Sequence, residues 1–370
     1  MIYLDYSATT PVDKRVLNQF VLDNERFFGN PNSVHKLGKE ANQEIIKATT
    51  DIKEIFGLND YELVYTSGAS ESNNLAIKGV AFKKQMVGKH IITSKFEHAS
   101  VVSCLSYLTK LGFKVDVLEN DEFGRVDLVD LESLITEETI LVTIGAVNSE
   151  TGIIQNLTGI KSVCEKHPNL VFHSDMTQAI GKINMDYSLA DLISFSAHKF
   201  YGLKGIGGLL VREGIKLVPL IHGGKSTTLV RAGTPATPLI LSLRNALKYM
   251  YEDFDEKLLV VKEMHDYFIK KLKNIENAVL NSNDYSLNQI INVSFLDNLS
   301  GFLHQEMSER DICISTSTAC GSENPVSMIV KKLTGSFERA ETSVRISISH
   351  LTTKNEIDAF FKAYMEINAL

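Results

Sequence analysis

Short β-branched runs alternate with helical patterns between residues 63 and 211, and this alternation constrains the fold more than any other feature. The strand candidates are 63–66, 90–94, 114–118, 140–147, 170–174, 192–196 and 207–211. Helical patterns lie between them at 73–84, 99–111, 128–134 and 157–166. Strands separated by helices need crossover connections, which predicts an α/β chain with a mainly parallel sheet covered on both faces. Ligand sites in such sheets gather where the carboxyl ends of strands lead into helices. After about residue 236 the pattern changes: 239–272 reads as one long helix, and 289–295, 311–315 and 342–349 as strands of a smaller α+β domain. At 370 residues the chain also exceeds what one hydrophobic core usually serves. We expect a large domain over 14–255 and a small one from 1–13 and 256–370, joined through the long helix.

Composition excludes several classes. A hydrophobic share of 44% rules out wholesale disorder. Asp plus Glu number 45 against 38 Lys plus Arg, a net charge of -7, which argues against direct nucleic-acid binding. The longest apolar stretch, 140–147, is too short to span a bilayer, so no membrane partner is expected. The opening Met1-Ile-Tyr-Leu-Asp-Tyr lacks the pattern of a signal peptide, and the four cysteines are too scattered for a disulfide or zinc framework. Together these predict a cytoplasmic protein.

Three segments carry chemistry-bearing residues. Asp191-Leu-Ile-Ser-Phe-Ser-Ala-His-Lys-Phe-Tyr-Gly is an apolar strand ending in Ser196, His198 and Lys199. Burial there disfavours an ammonium, and a desolvated lysine is what Schiff-base chemistry needs. A lysine that snorkels to solvent is the competing reading. Val171-Phe-His-Ser-Asp-Met-Thr-Gln sets Asp175 at the end of another apolar strand, with Gln178 three residues on. An acid there can hold a pyridinium nitrogen protonated, as pyridoxal phosphate requires, or can cap the next helix. A metal pair of His173 and Asp175 fits strand alternation but lacks a nearby third ligand, so no metal site is expected. Val64-Tyr-Thr-Ser-Gly-Ala-Ser-Glu-Ser-Asn-Asn reads as strand, turn and helix start, where backbone N–H groups and the Ser70 hydroxyl suit a phosphate. The nearest P-loop imitation, Gly224-Lys225-Ser226, has Pro219 where the leading glycine belongs.

Motifs in a fixed order along nearly the whole chain carry a family resemblance. They are Tyr3-Leu-Asp-Tyr-Ser-Ala-Thr-Thr-Pro, Phe28-Gly-Asn-Pro, Thr66-Ser-Gly-Ala-Ser-Glu-Ser-Asn-Asn-Leu-Ala-Ile, Glu97-His, Val147-Asn-Ser-Glu-Thr-Gly, Ser196-Ala-His-Lys, Arg231-Ala-Gly-Thr, Thr318-Ala-Cys and Ser343-Val-Arg. The chain resembles the cysteine desulfurases of the NifS/IscS kind, in the class V aminotransferase group of pyridoxal-phosphate enzymes. That resemblance implies the pyridoxal-phosphate-dependent transferase fold (aspartate aminotransferase-like), with a mainly parallel seven-stranded sheet in the large domain plus a smaller α+β domain. It implies that Lys199 carries the cofactor and shuttles protons, that Asp175 pairs with the ring nitrogen, and that Gln178 pairs with the phenolic oxygen. His98 would stack on the ring and act in acid/base chemistry. Ser70, Ser196 and His198 would bind the phosphate, Ala69 would join the cofactor site, and Thr234 would reach the phosphate across a homodimer interface. Arg345, Asn30 and Asn148 would hold the substrate carboxylate, a task that suits the planar arginine fork.

Cys320 is the nucleophile that the resemblance implies. It lies among small and turn-forming residues that read as an exposed loop, whereas Cys104, Cys164 and Cys313 fall in helical or strand patterns that read as packing. L-cysteine would yield alanine and a persulfide on Cys320, passed to a sulfur-acceptor protein for tRNA thiolation or iron–sulfur assembly. Met176, Leu203 and Ala146 depart from the family pattern, the run after Cys320 is short, and the chain ends soon after its last helix, which together point to a divergent desulfurase. An aminotransferase, a selenocysteine lyase and a degenerate scaffold subunit are the rival readings.

Overall fold

A computed structural model describes residues 1–224, 226–316 and 326–369; Lys225 and Cys320 lie outside the described residues. The chain opens with β1 (Ile2–Tyr3), α1 (Lys14–Arg26), α2 (Lys36–Phe56), β2 (Tyr61–Thr66), α3 (Ala69–Lys84), β3 (His90–Thr93), α4 (Ala99–Lys110) and β4 (Lys114–Val117). It continues through α5 (Leu128–Leu134), β5 (Thr139–Thr143), α6 (Leu157–Cys164), β6 (Val171–Asp175), β7 (Leu192–Ser196) and β8 (Gly207–Arg212). Beyond these come α7 (Thr237–Tyr251), α8 (Phe254–Leu272), β9 (Ala278–Leu280), β10 (Ile290–Phe295), α9 (Ser300–Glu309) and β11 (Ile312–Cys313). The last elements are α10 (Met328–Thr334), α11 (Phe337–Glu341), β12 (Ser343–Ser347) and α12 (Lys354–Ile367).

Seven strands form the large sheet in the order β2-β8-β7-β6-β5-β3-β4. Only β8 runs antiparallel to its neighbours. Successive residues send side chains to opposite faces, so a sheet buried on both sides shows continuous apolar runs. Leu63, Ile92, Val142, Phe172, Ile193 and Leu210 enter one core. Their chain neighbours Val64, Ile91, Leu141, Val171, Leu192 and Leu209 enter the other. The fold is the pyridoxal-phosphate-dependent transferase fold expected from the sequence. The smaller domain packs a third core around Phe268, Phe295, Phe360 and Ile346, over the antiparallel sheet β12-β10-β9. Among the described residues no helix is long and apolar enough to cross a membrane.

Two expectations need correction. The stretch 140–147 is strand only to Thr143; the residues after it turn into the site described below. The long helix expected over 239–272 is two helices, α7 and α8, broken at Glu252 and Asp253. Asp253 adopts the left-handed conformation, with φ of 52°. Lys257 folds back over the break, its Nζ donating to the carbonyls of Tyr249 at 2.6 Å, Met250 at 3.0 Å and Glu252. It thereby satisfies carbonyls that the end of α7 leaves without intrahelical partners. A β-branched residue pays the left-handed penalty in full, so Asp253→Val should cost about 1–2 kcal/mol. Asp253→Gly should hold or raise the melting temperature, both read by thermal and chemical denaturation.

Candidate active site

The parallel strands all deliver their carboxyl ends to one edge of the sheet, and a cavity of about 420 Å³ opens there. The turn after β2 brings Ala69 and Ser70, the loop after β3 brings His98, and the segment after β5 brings Asn148. Asp175 ends β6, Gln178 follows it, Ser196 ends β7, and the short 3-10 turn Ala197–Lys199 carries His198 and Lys199. Arg345 enters from β12 of the smaller domain. Ten of the residues singled out from the sequence therefore line one cavity.

On the floor, Lys199 Nζ donates to the carbonyls of Ser7 at 2.6 Å and Ala8 at 2.9 Å. Gln178 Nε2 donates to the same Ser7 carbonyl at 3.0 Å, and its Oε1 accepts from Lys182 Nζ. Lys182 is buried, and desolvation, helped by the charges of Lys199 and Arg345, holds its pKa well below the ordinary lysine range. Asp175 Oδ2 accepts from Asn73 Nδ2 at 2.7 Å, and Asp175 Oδ1 accepts from the Thr177 N–H at 3.0 Å. Asn73 Nδ2 also donates to Ser100 Oγ at 2.9 Å, which lies 2.8 Å from His98 Nδ1. His98 caps α4, its Nδ1 accepting from the Ser100 N–H at 3.1 Å. The Thr143 and Ser194 hydroxyls engage both ring nitrogens of His173. Among the described residues no cluster of His, Cys, Asp and Glu could hold a metal ion.

The opposite end of the cavity suits an anion. No side chain caps the 16-residue α3, so its first N–H groups face the turn at Gly68. Ser70 and Ser196 add hydroxyls, and Lys204, which the sequence reading missed, stands on the rim. Burial and the charges of Lys199, Lys204 and Lys182 push His198 down to about 4, so it serves as a neutral hydrogen-bonding group beside Thr9.

Arg345 is fully buried; its Nη2 donates to Asp5 Oδ1 at 2.6 Å and its Nη1 to the Ser149 carbonyl at 3.0 Å, leaving other guanidinium N–H groups for a carboxylate. Asn148 is less open than the sequence implied. Its Oδ1 accepts from Glu150 and Thr151, and its Nδ2 donates to the Phe96 carbonyl, so only a second Nδ2 proton remains to meet a substrate. Asn30 and Thr234 are exposed and do not line the cavity in this single chain. Met176 is packed in the large-domain core and does not line the cavity. Cys104 and Cys164 are buried in α4 and α6, and burial pushes their thiols up to about 11 and about 12.

Residues 2–360 match the profile of the aminotransferase class-V family. The chain belongs to this family. Among class-V relatives, the cysteine desulfurase IscS of Buchnera aphidicola subsp. Schizaphis graminum is 42% identical over 98% of this chain and 91% of its own. A solved NifS-like protein superimposes with a TM-score of 0.93 at 33% identity, covering 100% of this chain and 99% of that one. A structure described as SspA in complex with cysteine does so at 0.84 and 34% identity, covering 95% and 100%.

The residues of this class-V chain fit pyridoxal phosphate, the cofactor the resemblance implies. Gly68 has φ of 149°, and a Cβ there would stand 3.2 Å from Ser196 Oγ. A Cβ on Gly207 would stand 2.4 Å from the Phe195 carbonyl and 2.7 Å from Gly68 Cα. The phosphate-sized cradle thus exists because both positions lack side chains.

Glu97 also faces the cavity. Its oxygens accept from the Gly145 N–H at 3.0 and 3.1 Å, and one accepts from Ser94 Oγ at 2.6 Å. Desolvation raises its pKa from 4.5 to about 7, the hydrogen bonds oppose the rise, and Asp175 adds to it. Between about pH 4.5 and 7 the folded state holds a proton that the unfolded chain has released. Stability therefore falls as pH rises through this window, by at most about 1.4 kcal/mol per pH unit from this group. Glu97→Gln should flatten that part of a stability–pH profile measured by denaturant unfolding.

Proposed function

We propose that the protein is a pyridoxal-phosphate-dependent cysteine desulfurase, which converts L-cysteine to L-alanine and passes the sulfur, as a persulfide on Cys320, to an acceptor protein. The observation that carries this reading is one cavity holding a lysine, an acid and an uncapped helix start, the donor set that this cofactor needs. When bound, the cofactor supplies an electrophilic carbon for the substrate amine and an electron-withdrawing ring. Lys199 would carry it, Asp175 would hold its ring nitrogen protonated, and Gln178 would meet its phenolic oxygen. Ser70, Ser196 and His198 would take the phosphate, and Ala69 would join the cofactor site.

Cysteine as substrate is supported by the relatives described as cysteine desulfurases and by the solved protein described with cysteine. Arg345 would orient the substrate carboxylate, with Asn148 offering its remaining N–H. The net change breaks the Cβ–S bond of the substrate and forms an S–S bond on Cys320. A proton replaces sulfur at Cβ, so no outside oxidant is needed. A homodimer completes the reading: Thr234 of a second copy would reach the phosphate, and Phe28, Val34 and Leu229, 73%, 86% and 77% exposed, offer apolar surface for the contact. Transfer from Cys320 to an acceptor in tRNA thiolation or iron–sulfur assembly suits a cytoplasmic enzyme.

Purified protein with added pyridoxal phosphate should show a visible absorbance band that shifts with cysteine, and should release alanine. Cys320→Ala should keep the band and lose sulfide release by at least about 100-fold, the scale of a lost nucleophile. Lys199→Ala should lose the covalent cofactor link. Keto-acid products in place of alanine, or wild-type sulfur release by Cys320→Ala, would overturn the assignment.

A further inference from the structure

The hydrogen bonds between Asp175 and His98 each have a fixed direction, and that direction sets the state of the histidine. A backbone N–H can only donate, so His98 Nδ1, 3.1 Å from the Ser100 nitrogen, is an acceptor. A neutral imidazole with an accepting Nδ1 carries its proton on Nε2. The other end of the chain gives the same answer. Asn73 Nδ2 lies 2.7 Å from Asp175 Oδ2 and 2.9 Å from Ser100 Oγ. Turning the amide over would set Oδ1 against a carboxyl oxygen, so the carboxyl of Asp175 fixes Asn73 as a double donor. Ser100 Oγ, already accepting from Asn73, then directs its own proton to His98 Nδ1 at 2.8 Å. Asn73 is fully buried, and its Oδ1 has no hydrogen-bond partner among the described residues. The amide forgoes one hydrogen bond while donating both N–H groups to this chain.

We propose that Asn73 and Ser100 are positioning residues that lock His98 in its Nε2–H form, so that His98 meets a bound ligand as a hydrogen-bond donor. Only the identity of that ligand rests on the desulfurase reading. In this state Nε2 already holds a proton and Nδ1 is covered by two donors, from the Ser100 backbone and hydroxyl. The element that links this chain to the sheet is Asp175, so the ring-nitrogen acid and the ring-stacking histidine are oriented as one unit through α3 and α4.

The test is nitrogen-15 NMR of the full chain labelled at histidine, with and without added pyridoxal phosphate, His98 being identified by the signal lost in His98→Gln. Wild type should show one protonated and one unprotonated ring nitrogen for His98, the protonated one correlating with both ring C–H protons as Nε2 does. Ser100→Ala and Asn73→Leu leave the Ser100 backbone N–H as the one directed donor on Nδ1, and each should move both nitrogens part of the way toward the averaged shifts of a mixed tautomer population. Ser100→Thr, which keeps the hydroxyl, should restore the wild-type pattern. Ser100 is only half-buried, so Ser100→Ala carries the test if Asn73→Leu does not fold. An Nδ1–H or mixed pattern in wild type, or variants indistinguishable from it, would overturn the proposal. A chain that takes up no pyridoxal phosphate would overturn the proposed function while the tautomer is still read.

Discussion

The site depends on the way residues 2–10 are tied to both domains at once. On one side, Ile2 and Tyr3 pair with Ile312 and Cys313, the Ser7 N–H meets Ser347 Oγ, and Asp5 grips Arg345. On the other, the carbonyls of Ser7 and Ala8 receive Lys199 and Gln178, and Thr10 bonds the backbone of His198 and Tyr201. Remove this strap and the amine, the amide and the guanidinium each lose a fixed acceptor. Hydrogen bonds to charged donors are among the stronger ones, and here several converge on a run of fewer than ten residues.

Electrostatics give the cavity its direction. Lys199, Lys204 and Arg345 line it, while Asp175 and Glu97 line it as well and Asp5 is paired with Arg345. A ligand with an anionic group at each end matches that arrangement better than a neutral one. The net negative charge of the whole chain says nothing about this local field, which Lys199, Lys204 and Arg345 set at the ends of the strands.

The large sheet was legible in the sequence because both of its faces are buried, which turns each strand into an unbroken apolar run. The residues at the strand ends were legible for the same reason, since Lys199 and Asp175 interrupt apolar runs. Helices α1 and α2 are not legible in the sequence in the same way. The buried stripe of α2 is Gly38, Ala41, Ile45, Ala48, Ile52 and Phe56, and small residues do not announce a hydrophobic face. The break at Asp253 has no glycine or proline to mark it, only a side chain that tolerates the left-handed region. The partners of the site residues were hidden for another reason. Asn73, Ser100 and Asp175 come from α3, α4 and β6, and Asp5 meets Arg345 across 340 positions, so their contacts exist only once the chain is folded.

If the chain handles sulfur as proposed, the two thiols buried in α4 and α6 have a consequence. Thiol exchange needs a thiolate, and groups pushed to about 11 and about 12 stay protonated at neutral pH. They can neither capture sulfur from a neighbouring persulfide nor discharge one. Two of the four cysteines would thus merely fill space and stand outside the proposed sulfur transfer.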